Sequence, residues 1–436
     1  MKKLTHFWEE LNASFWFIPI LILLGAIGAA SGLIYLDNRY EFVPNGFARY
    51  LFPGSVDSAR SILTITAGAM IGVAGTVFSI TLVALTLASS QLGSRLLRNF
   101  MYDKLNQVVL GTYVSTFVYC LLILSAIKEN ESLHFVPVMS VFGALLAAVA
   151  GIILLIVFIH HISISIQSDK VISDISDAMS KSINRLFPEE IGHGEPRPSP
   201  DLEELKETFK YNIQVRCQKN GYLQSVDGDA LMNMAKNNDW IIELKYRPGD
   251  FLVKGLMICL VHSHDECDEE TAGKINNALI IGKVRTPLQD AEFSIHQLVE
   301  VAGRALSPGV NDPYTAIACI DNLTAVLCYL AKARFPSPFR YDQENRLRII
   351  ADNLSFRGML NAAFNQIRQY GAGNPSVIIR LMEAMITIMR FASRKEHKKE
   401  LAAHASMILR AAEKTFSEKR DLEDLKERFS QLSLIE

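Results

Sequence analysis

Residues 61–94 read SILTITAGAMIGVAGTVFSITLVALTLASSQLGS, 34 positions without a charge between Arg60 and Arg95. A charge at the centre of a bilayer costs about 3 kcal/mol or more, so a run this long without one marks a membrane-spanning helix. At 1.5 Å per residue it would extend about 50 Å against an apolar core of about 30 Å, so it tilts steeply or runs past the bilayer. The following LGSRLLRNF has the pattern of an amphipathic continuation. At 100° per residue, Gly68, Gly72, Thr76, Ser79, Thr86, Ser90 and Ser94 share an arc of about 80°, interrupted only by Ile65 and Val83.

Two readings of that stripe follow. Small residues let helices approach closely, so it is a packing face. Alternatively, hydroxyls from several copies line a water-filled path. On the second reading Gly72, Thr76, Ser79, Thr86 and Ser90 are the pore-lining candidates. Arg95 and Arg98 then flank the cytoplasmic mouth and favour anions there.

Working outward, Leu11–Leu36, Leu105–Ile127 and a run from Phe135 to His160 are also free of charge. Each exceeds the roughly 20 residues that a spanning helix needs. The first is too long for a signal peptide and lacks a small-residue cleavage site, so four spans are expected. None carries a carboxylate or a lysine, which argues against a proton-coupled transporter. His160 and His161, where the fourth run ends, point about 100° apart on a helix and are read as interfacial anchors, not joint metal ligands.

The charge distribution agrees with this division. Of 44 Lys/Arg and 46 Asp/Glu in 436 residues, nine and eight fall within 1–161, leaving 35 and 38 for the remainder. Hydrophobic residues make up 49% of the chain, and the mean hydropathy of +0.17 comes from its front. A net charge of −2 argues against a nucleic-acid partner. Lys2, Lys3, Arg95, Arg98 and Lys104 outnumber Arg39, Arg49, Arg60 and Lys128, which places both termini in the cytoplasm. Five of the six cysteines lie behind the spans without framework spacing, as a reducing compartment favours.

Behind the membrane domain (1–161) we expect a stalk helix and a Pro/Gly linker (162–200), a small β-rich module (201–267) and a helical cytoplasmic domain (268–436). Ile166, Ile172 and Ile175 share a face of the stalk, which continues the fourth span, and Pro188 ends it. In the module YNIQVRCQ and YLQSVD alternate as strands, Asp227 caps a helix, and PGD joins WIIELKYR to FLVKGLMICLVH. This predicts a ββαββ unit. PGDFLVKG resembles the hairpin of biotinyl-carrier modules, but without a Met-Lys-Met attachment site it is read as structural. Helices are expected at 268–282, 290–306, 312–333, 342–370, 376–395, 397–416 and 420–433.

His262, His264 and Cys267 would offer a metal three donors if the strand persists, but H-x-H-x-x-C lacks the second half of a zinc knuckle. The alternative is an acidic loop that starts the next helix, and no metal or cofactor is expected. Arg285, Gln289, Asp290, Ser307, Asn311, Asp312 and Tyr314 concentrate polar groups around 285–314, either as a structural corner or as a ligand pocket. Asp312 followed by Pro313 reads as a helix start. No phosphate-cradling glycine loop, HExxH or G-x-S-x-G occurs, so an enzyme is not expected.

The block AGTVFSITLVALTLASSQLGSRLLRNFMYDKLNQVVLGTYVSTFVYCLLIL, with RPGDFLVKG and RTPLQDAEFSIHQLVEVAGRALSPGVNDPYTAI, resembles a bacterial family of predicted membrane proteins carrying a domain of unknown function. The resemblance covers nearly the whole chain. It implies a bacterial inner-membrane protein with a cytoplasmic C-terminal domain, and it supplies no activity. The expectation is an α-helical membrane protein with an α+β C-terminal region: an oligomeric, channel-like protein in contact with lipid and ions, or else a membrane-anchored sensor or scaffold that binds a cytoplasmic protein.

Overall fold

The computed structural model describes residues 14–40, 55–91, 93, 103–130, 133–186, 206, 208–266, 269–333, 335–351 and 354–432. The chain divides into two compact units between Lys170 and Val171.

The first unit holds four long apolar helices, α1 (Phe17–Arg39), α2 (Val56–Gln91), α3 (Lys104–Ala126) and α4 (Val138–Ser165). A short antiparallel pair, β1 (Lys128–Asn130) and β2 (Leu133–Phe135), links the last two. The helix α3 is central, meeting α1, α2 and α4 and burying Val109, Tyr113, Tyr119, Cys120 and Ile123. Gly111 permits this: a Cβ there would lie 2.9 Å from the backbone Cα of Pro19. Buried tyrosines satisfy their hydroxyls on α4, Tyr113 donating to the Gly151 carbonyl at 2.5 Å and Tyr119 to that of Ser140 at 2.9 Å. Asp37, near the end of α1, accepts from the Met139 and Ser140 amides at 2.9 Å each and from the Ser140 hydroxyl at 2.6 Å. One carboxylate thereby caps the start of α4 from another helix. The outer faces are apolar, Leu24 and Ile156 being 63% and 64% exposed, the inverse of a water-soluble bundle.

The fourth helix does not run unbroken into a stalk. It ends at Ser165, the Gln167 amide turns back to the Ile164 carbonyl, and α5 (Ser168–Leu186) starts afresh. Ser163 and Ser165 donate to the carbonyls four residues earlier, a competition that weakens a helix from within. Buried Ile172, Ile175, Met179 and Ile183 give α5 one apolar face.

The second unit is mixed α/β. Its strands are β3 (Tyr211–Arg216), β4 (Gly221–Val226), β5 (Ile241–Leu244), β6 (Phe251–Leu252), β7 (Met257–Ser263), β8 (Leu279–Gly282), β9 (Phe339–Tyr341) and β10 (Leu347–Ala351). They form a five-stranded sheet in the order β3-β7-β5-β10-β9 and a three-stranded sheet in the order β6-β4-β8. The ββαββ expectation is corrected in two respects. FLVKGLMICLVH is two strands in different sheets, and those sheets are completed by β8 and β10, from segments read as helix, and by β9, from a segment assigned no element. The helix expected at 268–282 is α7 (Glu269–Asn277) followed by β8, and that expected at 342–370 is β10 followed by α10 (Phe356–Tyr370). α6 (Gly228–Asn237) starts as expected at Asp227, which accepts from the Ala230 amide at 3.3 Å. α8 (Glu292–Ala305), α9 (Pro313–Lys332), α11 (Pro375–Phe391), α12 (Lys395–Thr415) and α13 (Lys419–Leu432) make up the remainder.

By length and composition five described helices could cross a bilayer: α1 to α4 and also α9. The count of four is therefore not exact. The five described cysteines are all buried and unpaired.

Candidate functional site

The second helix has two unlike faces. Leu63, Ala67, Met70, Ala74, Val77, Ala84 and Ala88 are buried, and α2 packs on α3 and α4. The stripe of Gly68, Gly72, Thr76, Ser79, Thr86 and Ser90 lies on the exposed face, with Ile65 at 72% and Val83 at 61% exposure. A Cβ at Gly68, Gly72 or Gly75 would meet nothing within 4 Å. Among the described residues of one chain, nothing packs on these glycines. The hydroxyls are satisfied along their own helix: Thr76 on the Gly72 carbonyl at 3.2 Å, and Ser79 on Gly75, Thr86 on Leu82 and Ser90 on Leu87 at 2.9 Å each. Ser94, Arg95 and Arg98 lie outside the described residues. At one end of the bundle Asp103 caps α3, accepting from the Leu105 amide at 2.9 Å, and pairs with His161 of α4. The sequence had offered His161 no partner.

The polar residues of 285–314 do not form one corner. Arg285, Gln289 and Asp290 precede α8, whereas Ser307, Asn311, Asp312 and Tyr314 follow it, and 14 helical residues separate the groups by about 21 Å. Before α8, Asp290 is buried against Arg285, whose Nε donates at 2.8 Å, and Arg247 Nη2 donates to Glu292 at 2.9 Å. Burial holds the Asp290 carboxyl above its ordinary range against the pull of Arg285. At Glu292 burial acts in the same direction, but His296, Arg247 and Arg285 outweigh it and lower the pKa. Gln289 continues the β4 ladder, accepting from the Val226 amide at 2.9 Å and donating to its carbonyl at 3.1 Å. The PGD turn locks onto this cluster, because Gly249 has φ +104° and a Cβ there would lie 2.7 Å from Asp290 Oδ2. After α8, Asp312 caps α9 by accepting from the Thr315 amide at 3.1 Å and hydroxyl at 2.6 Å. Ser307 donates to the Arg304 carbonyl at 2.6 Å, Asn311 takes φ +50°, and Tyr314 is 80% exposed. Arg285, Gln289, Asp290, Ser307 and Asp312 are thus bound to their own backbone and neighbours.

His262 and His264 are engaged differently. His262 is buried in β7, with Nδ1 2.6 Å from Asn212 Oδ1 and Nε2 3.4 Å from Glu243. Burial lowers its pKa although Glu243 opposes this. Lys245 and Lys206, at 2.6 and 3.0 Å, overcome the burial of Glu243 and hold its carboxyl down to about 2. His264 lies beyond the strand and stacks on Phe209 at 4.6 Å. Cys267 is outside the described residues, and no metal-holding group of three occurs among the described ones.

A groove not anticipated from the sequence lies between α9 and α11. It has a volume of about 630 Å³ and is lined by Thr324, Cys328, Tyr329, Lys332, Arg380 and Phe391. Beside it a hollow of about 540 Å³ reaches Arg390 and Arg428. Arg380 grips both Asp321 oxygens, at 2.6 and 2.8 Å, and Glu383 at 2.9 Å; Glu383 also accepts from Arg428 at 3.1 Å. These charges neutralise one another across α9, α11 and α13. Burial, opposed by Lys332, pushes the Cys328 thiol up to about 11, so it is protonated at neutral pH and a poor nucleophile.

A bundle of long helices with apolar exteriors, joined in one chain to a mixed α/β region, defines a multi-pass membrane protein. The family described as "Predicted membrane protein (DUF2254)" matches residues 12–387, and the chain belongs to it. It is also similar to uncharacterized proteins of Mycobacterium bovis and Mycobacterium tuberculosis, each 29% identical over 437 residues that cover 95% of this chain and 79% of theirs. No solved structure matches.

Proposed function

We propose that the protein is an oligomeric, channel-like protein of the bacterial inner membrane. Copies associate through the exposed face of α2, and that stripe lines an ion path. The observation that carries this reading is that a small and hydroxyl-bearing face, broken only by Ile65 and Val83, is left uncovered by the other described helices. Exposed elsewhere on α2 are large side chains that suit lipid, such as Phe78, Leu82 and Leu87. The stripe is what a second copy would approach most closely.

Four helices span the membrane in this proposal, with both termini in the cytoplasm. The fifth apolar helix, α9, is a core helix of the second unit. It packs on α8 and α11 and carries Asp321, bound by Arg380. The second unit assembles or gates the path and has no catalytic role. A second reading, a membrane-anchored scaffold or sensor for a cytoplasmic protein, is favoured by the self-satisfied hydroxyls. A dry interface between copies tolerates them, since none is left without a partner.

The test is ion flux and single-channel recording on reconstituted protein, with Ser79→Leu alongside. On the channel reading the wild type conducts, and Ser79→Leu reduces conductance while leaving the oligomer intact. Protein that stays silent under voltage, tension and pH change, with Ser79→Leu dispersing the oligomer, would establish the scaffold instead.

A further inference from the structure

Where α3 begins, α2, α3 and α4, with Phe15 just ahead of α1, bound a cavity of about 180 Å³. Phe15, Phe78, Leu82, Leu85 and Ile162 supply most of its apolar wall. Its one carboxamide belongs to Asn106, in the first turn of α3, and only 4% of that residue is exposed. Asn106 Oδ1 is buried and has no hydrogen-bond partner among the described residues. Thr81, the other polar residue of the wall, is already committed, donating to the Val77 carbonyl at 2.8 Å.

An unsatisfied buried amide oxygen costs about 1–3 kcal/mol, and in an apolar bundle no bulk water relieves it. Rotation of the carboxamide about its Cβ–Cγ bond presents either its oxygen or its nitrogen to the space, because that torsion is broad. The volume matches a single small ring: an apolar cavity of about 150 Å³ in a soluble protein stays dry and takes up benzene. Most of the wall would hold a hydrocarbon body, and one point on it would hold a hydroxyl.

We propose that this cavity is a binding site for a small, mostly apolar group carrying one hydroxyl, held by Asn106. The body is about the size of a phenyl ring or a six-carbon chain. The group reaches the site either as a free aromatic or aliphatic alcohol or as the hydroxyl-bearing part of a membrane amphiphile.

The test uses the full chain in nanodiscs and follows fluorine NMR line broadening of 4-fluorobenzyl alcohol and 4-fluorotoluene, two probes that differ by the hydroxyl. The fluorobenzyl alcohol is expected to bind roughly fivefold more tightly than the fluorotoluene, the worth of about one net hydrogen bond. Asn106→Leu, close in volume, is expected to erase that preference. Leu82→Trp keeps the amide and narrows the cavity from a position 47% exposed to the outside, so it is expected to weaken both probes without unfolding the bundle. Mass spectrometry of lipid extracted from the purified protein separates the sources. A hydroxylated amphiphile retained by the wild type and lost from Leu82→Trp identifies the bilayer; its absence with probe binding intact identifies a free alcohol. Equal binding of the two probes, binding of neither, or an alcohol preference that survives Asn106→Leu would overturn the proposal.

Discussion

Gly249 and Gly255 flank β6, and Ala at the two positions separates two costs that usually occur together. Both have positive φ, +104° and +89°, so an alanine at either is strained by about 1–3 kcal/mol. At Gly255 nothing lies within 4 Å of the new methyl, and strain is the whole cost. At Gly249 the methyl would also stand 2.7 Å from Asp290 Oδ2 and 2.9 Å from Arg285 Nη2. Those atoms form a pair in which Asp290 is only 3% exposed, so the carboxylate has nowhere to retreat. Separating a buried pair costs about 3–5 kcal/mol, and Gly249→Ala should exceed Gly255→Ala by about that margin. Hydrogen exchange followed by mass spectrometry reads this locally. The Gly249 amide donates to the Leu223 carbonyl at 2.8 Å and the Leu223 amide to the Asp250 carbonyl at 2.9 Å. A margin of about 3 kcal/mol makes these amides exchange roughly a hundredfold faster in Gly249→Ala than in Gly255→Ala. Equal acceleration in the two variants would refute the claim that the Arg285–Asp290 pair locks the turn.

His404 of α12 is buried beside Arg368 and Arg357, and burial followed by those charges lowers its pKa from 6.5 to about 4. The folded state thus resists a proton that the unfolded chain accepts. The stabilisation is complete above about pH 6.5 and falls by about 3 kcal/mol as pH drops to 4, a loss that His404→Gln should flatten in thermal melts. Asp37→Ala removes three accepted hydrogen bonds at the start of α4 and should cost about 2 kcal/mol, seen as faster exchange at Met139 and Ser140; Asp37→Asn, which keeps an acceptor, should cost less. Gly111→Ala forces α3 off the Pro19 backbone and should destabilise the bundle by about 1–3 kcal/mol, measurable as a lower midpoint in detergent.

The membrane half was legible because charge exclusion acts on composition alone: the charge-free runs and the helices coincide to within a few residues. The helix starts at Asp227 and Asp312 were legible for a similar reason, since a cap acts within four residues. The strand β10 was not. LRIIA buries Leu347, Ile349 and Ile350, and so short an apolar run has no period that separates strand from helix. What fixes it as a strand is its parallel pairing of Ile349 with Ile242, more than a hundred positions earlier. The groove between α9 and α11 was hidden likewise, because Asp321 and Arg380 are 59 residues apart. The stripe on α2 was visible as a period, but its exposure depends on where the other helices stop, which no local pattern records.

The same parallel pairing has a consequence for synthesis on the ribosome. β5 lies between β7 and β10 in the five-stranded sheet, yet β10 emerges only after α8 and α9 have been made. Until then β5 has a bare edge of unpaired amides and carbonyls, the kind of edge that recruits strands from other chains. A nascent chain stalled or truncated between β7 and β10 is therefore an aggregation hazard, and the sheet is safe only once residue 351 has left the exit tunnel. Slow codons or a premature stop in that interval would harm the cell more than the same lesion after β10.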